Sequence, residues 1–285
     1  AIAPTDPAVM FSVLGDREIA GRTGTILEGE SGANDPVGIA LMIGMVDLAL
    51  HPGGSFWIVG REFAIEMAVG LAIGVAGGFL QTWLLRRVSL PNPGLHAVRT
   101  LAGAGVIYGA ASVAHGSGFL AVFVAGLIVG DAKAPLKQEI ENFQNALSSV
   151  AEIVVFVALG LTIALGAVSD SDWGEGLALV AFLALVARPL VVGALLLPVR
   201  LRPGERVFVA WGGLKGAVPI LLAAFALLGG VDDGARIYDI VFVVVLISVV
   251  VQGSSIPYAA ERLGVPMRRL RHAEEADELP RIRTS

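Results

Sequence analysis

Long apolar runs dominate this chain and restrict what it can fold into. A helix that crosses a bilayer needs about 20 predominantly apolar residues, and a half-helix buried in protein needs fewer. Hydrophobic residues make up 55% of the 285 residues, and the mean hydropathy is +0.76. We therefore expect an all-α polytopic membrane protein. After an opening half-span, the sequence predicts spans at about residues 31–50, 57–85, 97–114, 118–131, 146–169, 174–199, 205–229 and 236–262.

Two of these segments contain residues that interrupt a helix. Near the start of the chain, Pro4 and Pro7 flank Thr5-Asp6, which forbids a regular helix and predicts the second half of a broken one. The span at 205–229 contains the run Gly-Gly-Leu-Lys-Gly-Ala-Val-Pro from Gly212, which predicts a second unwound point near the membrane middle. A pair of interrupted helices is typical of an inverted-repeat transporter whose site lies where they cross.

The remaining segments set the predicted domain organisation. Residues 133–146 are polar with apolar residues at helical spacing, which predicts an interfacial amphipathic helix. If the spans alternate strictly, Arg188 and Lys215 lie within the membrane and only Arg61 and Arg236 lie on the side opposite the C terminus. All other Lys and Arg residues then lie on the same side as the C terminus. We therefore expect a transmembrane domain over 1–262 and a cytoplasmic tail over 263–285, in the inner cell membrane.

Composition also limits the chemistry. The chain has no cysteine, which excludes disulfides and thiolate metal sites. Its 36 glycines fit helices that pack closely within a membrane. No organic cofactor and no nucleic-acid partner are expected.

The stretch from residue 28 to 44 takes charged side chains into an apolar helix. An acidic group there costs several kcal/mol unless it is paired, protonated or hydrated, so Glu30 and Asp35 are functional candidates. Ser31, Asn34 and Asp35 are spaced i, i+3, i+4, which stacks three oxygen-bearing side chains on one helix face. Hard monovalent cations take oxygen ligands, and a carboxylate in low dielectric also holds a proton. One group can therefore carry either species.

Several strings resemble one family of bacterial membrane proteins. They are TDPAVMFSVL from Thr5, EGESGANDPVGIAL from Glu28, HGSGFLAVFVAGLIVGD from His115, ARPLVV from Ala187, WGGLKGAVPI from Trp211 and VVVQGSSIPYAAERLG from Val249. Together they resemble sodium(potassium):proton antiporters, especially the cell-volume-regulation potassium:proton branch, from residue 1 to about 264. The resemblance implies an antiporter-type inverted-repeat helical bundle with two broken core helices. It also implies that several scaffold helices and half of one core helix lie upstream of Ala1, so we interpret the chain as a fragment.

The resemblance implies a secondary antiporter rather than an enzyme. It would exchange one potassium or sodium ion for one proton, with Asp35 binding cation and proton alternately, and would serve pH homeostasis. Asn34 in this family accompanies electroneutral exchange, and it would tune Asp35 and bridge broken-helix groups. Expected partners are the transported cation and proton, membrane lipid, and a second copy of the chain in a homodimer.

The same resemblance assigns the cation ligands and their supports. Asp6, the main chain of Thr5, and Ser31 would complete the monovalent cation shell with Asp35, although Thr5-Asp6-Pro7 also fits a plain turn. Glu30 would pair with Arg188, and loss of one partner leaves an orphan charge. Lys215 would offset the partial charges of the second break, where relatives usually have Arg. A lysine that snorkels to water is the alternative there.

Other functions remain open at this point. A passive cation channel also uses oxygen ligands in a broken helix, but it needs no carboxylate that can be neutralised. Gly29-Glu30-Ser31-Gly32 fits the motif of intramembrane serine proteases, yet no histidine lies mid-span to act as base. Three further acidic residues lie near predicted span ends and are more typical of solvated or interfacial groups: Asp47, Glu66 and Glu152.

Overall fold

The computed structural model describes residues 1–15, 17–51, 55–134, 136–163, 166 and 168–269. Within these residues the chain forms twelve α-helices, in this order: α1 (Pro7–Leu14), α2 (Arg22–Leu50), α3 (Phe56–Arg87), α4 (Pro93–Val113), α5 (Gly118–Asp131), α6 (Lys137–Thr162), α7 (Asp170–Phe182), α8 (Arg188–Leu195), α9 (Pro203–Trp211), α10 (Ala217–Leu228), α11 (Gly234–Ile247) and α12 (Ser254–Arg262). A π-helical turn over Leu183–Ala187 joins α7 to α8, and another over Ser248–Gly253 joins α11 to α12. Two short strands, β1 (Arg17–Ile19) and β2 (Met267–Arg269), pair antiparallel.

Membrane-length helices are present as expected. Among the described residues, five helical segments are long and apolar enough to cross a bilayer. They are Arg22–Leu50, Phe56–Arg87, Lys137–Thr162, Asp170–Leu195 and Gly234–Arg262, and the shorter apolar helices Gly118–Asp131 and Ala217–Leu228 add to them. The chain is thus a multi-pass membrane protein, as the sequence predicted.

The largest differences from the predicted element boundaries are at α2 and α6. Helix α2 begins at Arg22 rather than at about residue 31, because its first turns are too polar to register as an apolar run. Helix α6 runs without interruption from Lys137 to Thr162, so the interfacial helix expected at 133–146 is wrong as a separate element. No proline lies within α6 and its glycine, Gly160, falls in the last turn, so nothing separates the polar part from the apolar part.

The described chain divides into two compact units. The first comprises Ala1, Gly32–Leu165 and Leu221–Ala235. Within it, helices α3 to α6 pack on one another. A stripe of glycines on α3 meets α5, and a Cβ at Gly74 would lie 2.6 Å from the Ala121 carbonyl oxygen. Ala121 is completely buried, so the backbones of these helices approach closely, as the glycine content indicated.

The second unit comprises Ile2–Ser31, Gly166–Ile220 and the described residues from Arg236 onward. Here α1 packs on α12, and β1 pairs with β2 in the register Arg17 to Arg269. Ion pairs reinforce this contact, from Arg17 to Glu261 at 3.0 Å and from Arg268 to Glu18. The first residues of the expected tail, 263–269, are therefore part of the fold. Residues 270–285 of that tail lie outside the described residues.

The predicted interruption at Gly212 is confirmed, and the predicted absence of a regular helix around Thr5-Asp6 is confirmed as well, whereas the assignment of α1 as the second half of a broken helix stays a prediction. The first six residues are not helical, and α1 begins only at Pro7. Helix α9 ends at Trp211 and α10 begins at Ala217, which leaves residues 212–216 unwound.

Candidate ion-binding site

The two interrupted helices meet through their backbones. The Asp6 N–H donates a 2.8 Å hydrogen bond to the Leu214 carbonyl, which joins the first break to the second. Each break exposes backbone groups that lack partners in their own helix, so such a crossing concentrates polar atoms within an apolar bundle. The crossing point expected from the sequence is present in the second unit.

A pair of buried hydroxyls lies beside this crossing. Thr5 Oγ1 is 3.1 Å from Ser31 Oγ, and Ser31 Oγ donates to the Leu27 carbonyl at 3.1 Å. Because a hydroxyl has one proton, the Thr5 hydroxyl is the donor in the Thr5–Ser31 bond. Both side chains are 4% exposed. This geometry brings together two of the predicted cation ligands.

The Asp6 carboxylate lies against Gly216, at the N-terminal end of α10. It occupies the space that a Cβ at Gly216 would take, so this position requires glycine. A helix N-terminus carries partial positive charge and favours a nearby carboxylate. Asp6 is half-buried there, at the edge of both breaks.

The predicted carrier lies farther along α2. Asn34 and Asp35 follow Ser31 by three and four residues on the same continuous helix, and both are half-buried. They belong to the first unit, in which the Phe123 ring fills the space where a Cβ at Gly32 would sit. Pro36 has no N–H to donate to the Gly32 carbonyl, so α2 lacks one of its own hydrogen bonds next to Asp35.

The expected ion pair between Glu30 and Arg188 is present in the second unit. Arg188 Nη1 donates to Glu30 Oε1 at 2.7 Å, and Nη2 donates to Oε2 at 3.2 Å. The Glu30 side chain is 24% exposed and the Arg188 side chain is 10% exposed. This two-point contact fixes the guanidinium plane as well as neutralising its charge.

Arg188 also does something that the sequence did not predict. It donates to the Ala210 carbonyl at 2.9 Å and to the Val209 carbonyl at 3.1 Å, the carbonyls near the end of α9. The guanidinium fills the space above Gly213, where a Cβ would collide with it. The guanidinium thus offsets the partial negative charge at the C-terminal end of α9.

Lys215 offsets a break as expected, but not the break that contains it. Its ammonium donates to the Ala3 carbonyl at 3.1 Å and to the Pro4 carbonyl at 3.2 Å, both at the first break. Lys215 is 6% exposed, so the alternative of a snorkelling lysine is wrong. The ammonium of Lys215, a residue of the second break, therefore hydrogen-bonds the carbonyls of the first break.

Two further polar residues contact the second break and were missed. The Ser248 hydroxyl accepts from the Lys215 N–H at 3.0 Å and donates to Gln252 Oε1 at 3.0 Å, and the Gln252 amide donates to the Trp211 carbonyl. The available signal was their polarity: Ser248 and Gln252 are buried polar residues in an otherwise apolar span.

An apolar multi-pass bundle in which two unwound segments meet at a buried polar crossing is the arrangement typical of membrane transporters. Comparison with known proteins narrows this class. Residues 1–262 match the family described as sodium/hydrogen exchanger, transmembrane, and the chain belongs to that family. The resemblance drawn from the sequence motifs is confirmed.

Individual relatives agree with this family. The K(+)/H(+) antiporter NhaP2 of Shewanella sp. strain MR-4 is 36% identical over 266 residues, which cover 91% of this chain and 45% of the relative. The K(+)/H(+) antiporter NhaP of Alkalimonas amylolytica is 34% identical over 269 residues, covering 93% and 46%. The low-affinity Na(+)/H(+) antiporter NhaS1 of Synechocystis sp. strain PCC 6803 is 26% identical over 297 residues, covering 96% and 55%. The chain thus spans about half the length of the curated relatives it matches.

A solved structure shows the fold independently. The sodium proton antiporter MjNhaP1 from Methanocaldococcus jannaschii at pH 8 matches with a TM-score of 0.73 at 24% sequence identity. The match covers 92% of this chain and 69% of that one. The predicted antiporter-type helical bundle is confirmed.

Proposed function

We propose that the protein containing this chain exchanges a monovalent cation for a proton across the membrane, with Asp35 as the carrier group. The observation that carries the proposal is the crossing of two broken helices at Asp6 and Leu214, with the Thr5–Ser31 hydroxyl pair beside it. Helix α2 then places Asp35 one turn after Ser31. Oxygen ligands and a carboxylate that can be neutralised are what such an exchange needs.

Coupling follows from the cost of moving an ionised carboxylate through a low-dielectric bundle. Asp35 is acceptable there with a bound cation or with a bound proton, because both remove its net charge. The empty ionised form is too costly to cross freely. Cation and proton therefore compete for one group, and the bundle alternates its access with either one bound.

The remaining ligands are the Thr5 main chain, Asp6 and Ser31. The Ser31 hydroxyl donates to Leu27 and accepts from Thr5, and a hydroxyl oxygen has two lone pairs, so one stays available for a cation. Asn34 tunes Asp35 from the same helix. The Arg188–Glu30 pair and the Lys215 ammonium hold the half-helix ends in place around these ligands.

Several finer properties belong to the same proposal. Relatives named K(+)/H(+) antiporters are more similar in sequence than the one named a Na(+)/H(+) antiporter, which favours potassium over sodium. We also propose electroneutral exchange, a homodimer in contact with membrane lipid, and a bacterial inner-membrane location with a cytoplasmic tail. The exchange needs no enzymatic step and no organic cofactor.

The test uses the full-length parent protein in vesicles that contain a pH-sensitive dye. A proton gradient is imposed, potassium or sodium is added, and the unmodified protein is compared with Asp35→Asn. Asp47→Asn is the matched control, because Asp47 lies exposed on the same helix and pairs with His51 at its end. We expect cation-dependent proton movement in the parent and the control, and none in Asp35→Asn.

Other outcomes point to other functions. Proton movement that survives in Asp35→Asn assigns the carrier role to another residue. Cation flux without proton movement indicates a channel. Peptide-bond cleavage that needs Ser31 but not Asp35 indicates a protease, although Ser31 bonds Thr5 and Leu27 in this structure.

A further inference from the structure

The end of α9 at the second break is capped by side chains from other helices. The last carbonyls of a helix have no partners within it. Here Arg188 bonds the Val209 and Ala210 carbonyls, and the Gln252 amide bonds the Trp211 carbonyl. Three consecutive carbonyls are thus satisfied by two residues distant in sequence.

Gln252 belongs to a chain of hydrogen bonds that spans the break. Ser248 has one hydroxyl proton, which it donates to Gln252 Oε1, so it accepts from the Lys215 N–H. The Gln252 amide orientation is fixed as well, because the reverse orientation would set its oxygen against the Trp211 carbonyl oxygen. The network holds the main chain on both sides of the unwound segment, at Trp211 and at Lys215.

Burial makes the hydrogen bonds of this network costly to break. Ser248 is completely buried and Gln252 is 6% exposed. Buried polar groups lose much stability when they lack partners, so each of these bonds restricts where the main chain can lie. Trp211 adds a second contact by donating from its indole N–H to Ser255 Oγ at 2.9 Å.

Side chains that contact this break lie within one π-helical turn of the described chain and directly after the other. Ser248 and Gln252 lie within the turn Ser248–Gly253, and Arg188 directly follows the turn Leu183–Ala187. A π turn holds an extra residue and shifts the direction of the side chains after it, and such turns are frequent at functional sites. Each of these turns therefore directs a cap at the same helix end.

We infer that Ser248 and Gln252 are positioning residues of the ion-binding site. They hold the main chain at Trp211 and Lys215, so that the Lys215 ammonium reaches the Ala3 and Pro4 carbonyls beside Thr5. Without them the ammonium loses this reach, and the first break loses the arrangement of its oxygen atoms. Cation affinity then falls while the rate of alternation is kept. The inference rests on the proposed exchange function.

The experiment measures apparent cation KM and maximal rate for the full-length parent in vesicles. Gln252→Leu removes both hydrogen bonds of the side-chain amide and replaces it with a side chain of similar size. Ser254→Ala is the matched control. Ser254 lies two residues farther along, is exposed, and bonds only the Val251 carbonyl within the described hydrogen bonds. We expect KM to rise about fivefold to tenfold in Gln252→Leu, with a maximal rate within about twofold of the parent. Ser254→Ala should match the parent in both values.

A second variant keeps the test decisive. Ser248→Ala removes one atom from the same network, so it carries the test if Gln252→Leu does not reach the membrane. The KM of Ser248→Ala should rise too. Because both residues act in one network, the KM of the double variant should be less than about twofold above that of the more affected single variant. An unchanged KM in folded Ser248→Ala or Gln252→Leu overturns the inference, as does a lower maximal rate at constant KM. An unmodified parent without cation-dependent proton movement overturns the proposed function instead, and the inference with it.

Discussion

The two units of this chain hold their helices together by different means. In the first unit, α3 and α5 approach through small residues, with Gly74 facing the Ala121 carbonyl. In the second, side chains bond the exposed ends of interrupted helices, as Arg188 does at Val209 and Ala210. Apolar contact is non-directional, whereas hydrogen bonds fix both distance and direction. The proposed cation ligands Thr5, Asp6 and Ser31 need fixed positions, and they lie in the unit whose helix ends are held by hydrogen bonds.

Removal of Glu30 should have the largest effect. Glu30→Ala leaves the Arg188 guanidinium without its carboxylate partner in a partly buried position, which costs about 3–5 kcal/mol. We expect loss of folded protein together with transport, measured by thermal unfolding in detergent and by vesicle assays. Asp35→Asn should lose transport alone. A Glu30→Ala protein with parental Tm would show that the pair is not structurally required.

A charge swap sharpens this result. Glu30→Arg combined with Arg188→Glu retains a pair of opposite charges, but a carboxylate cannot donate to the Val209 and Ala210 carbonyls. We expect the double variant to stay unstable. Restored stability would mean that the pair matters only for its charge balance.

The apolar contact in the first unit should respond next. Gly74→Ala brings a Cβ to within 2.6 Å of the Ala121 carbonyl oxygen, and overpacking of this kind costs about 1–3 kcal/mol. We expect a lower Tm but unchanged transport per folded molecule. Gly109→Ala on α4 is the control, since no atom of the described residues lies within 4 Å of its Cβ position. Equal loss of Tm in both variants would contradict a contact-specific effect.

Gly213→Ala should have the opposite pattern to Gly74→Ala, with a smaller loss of stability and a larger loss of transport. The added Cβ meets the Arg188 guanidinium, which is the end of a side chain and can shift more readily than backbone. We expect a stability loss of about 1–2 kcal/mol but a severe loss of transport per folded molecule. Gly193→Ala on α8 is the control, because the part of the chain that the structure describes leaves its Cβ position open. Parental transport in Gly213→Ala would remove the distinction between the two units.

The sequence predicted the interrupted helices well because their causes are local. Pro4, Pro7 and the glycines from Gly212 disrupt a helix wherever they occur. The resemblance supplied the Glu30–Arg188 pair. What the sequence could not predict were side-chain bonds to distant backbone, such as Lys215 to Ala3, 212 residues away. This contact depends on the paths of two unwound segments through the fold, and no residue pattern reveals those paths.

The boundaries of helices were harder to predict for a different reason. An apolar-run criterion detects the part of a helix that suits lipid, so it placed the start of α2 late and divided α6 in two. Backbone hydrogen bonding continues through polar residues without a change. The cation ligands Asp35, Asp6, Thr5 and Ser31 stay predictions until transport is measured.

The surface contact between β1 and β2 should give the smallest effect. Arg17→Ala removes an exposed ion pair to Glu261 and should cost at most about 1 kcal/mol, with less effect at high salt. We expect a small change in Tm at low ionic strength and parental transport. A loss of transport comparable to that of Gly213→Ala would show that this exposed contact matters for the site.

The pairing of β1 with β2 also determines how the chain would respond to mechanical force. Arg269, the last residue of β2, lies opposite Arg17, the first residue of β1. The two paired strands form a short β-ribbon, and tension between Arg269 and the end of α1 therefore acts on one end of this ribbon. The bonds then open one after another rather than all at once, which requires little force. The ribbon would release under a weak pull and re-form when the pull ends.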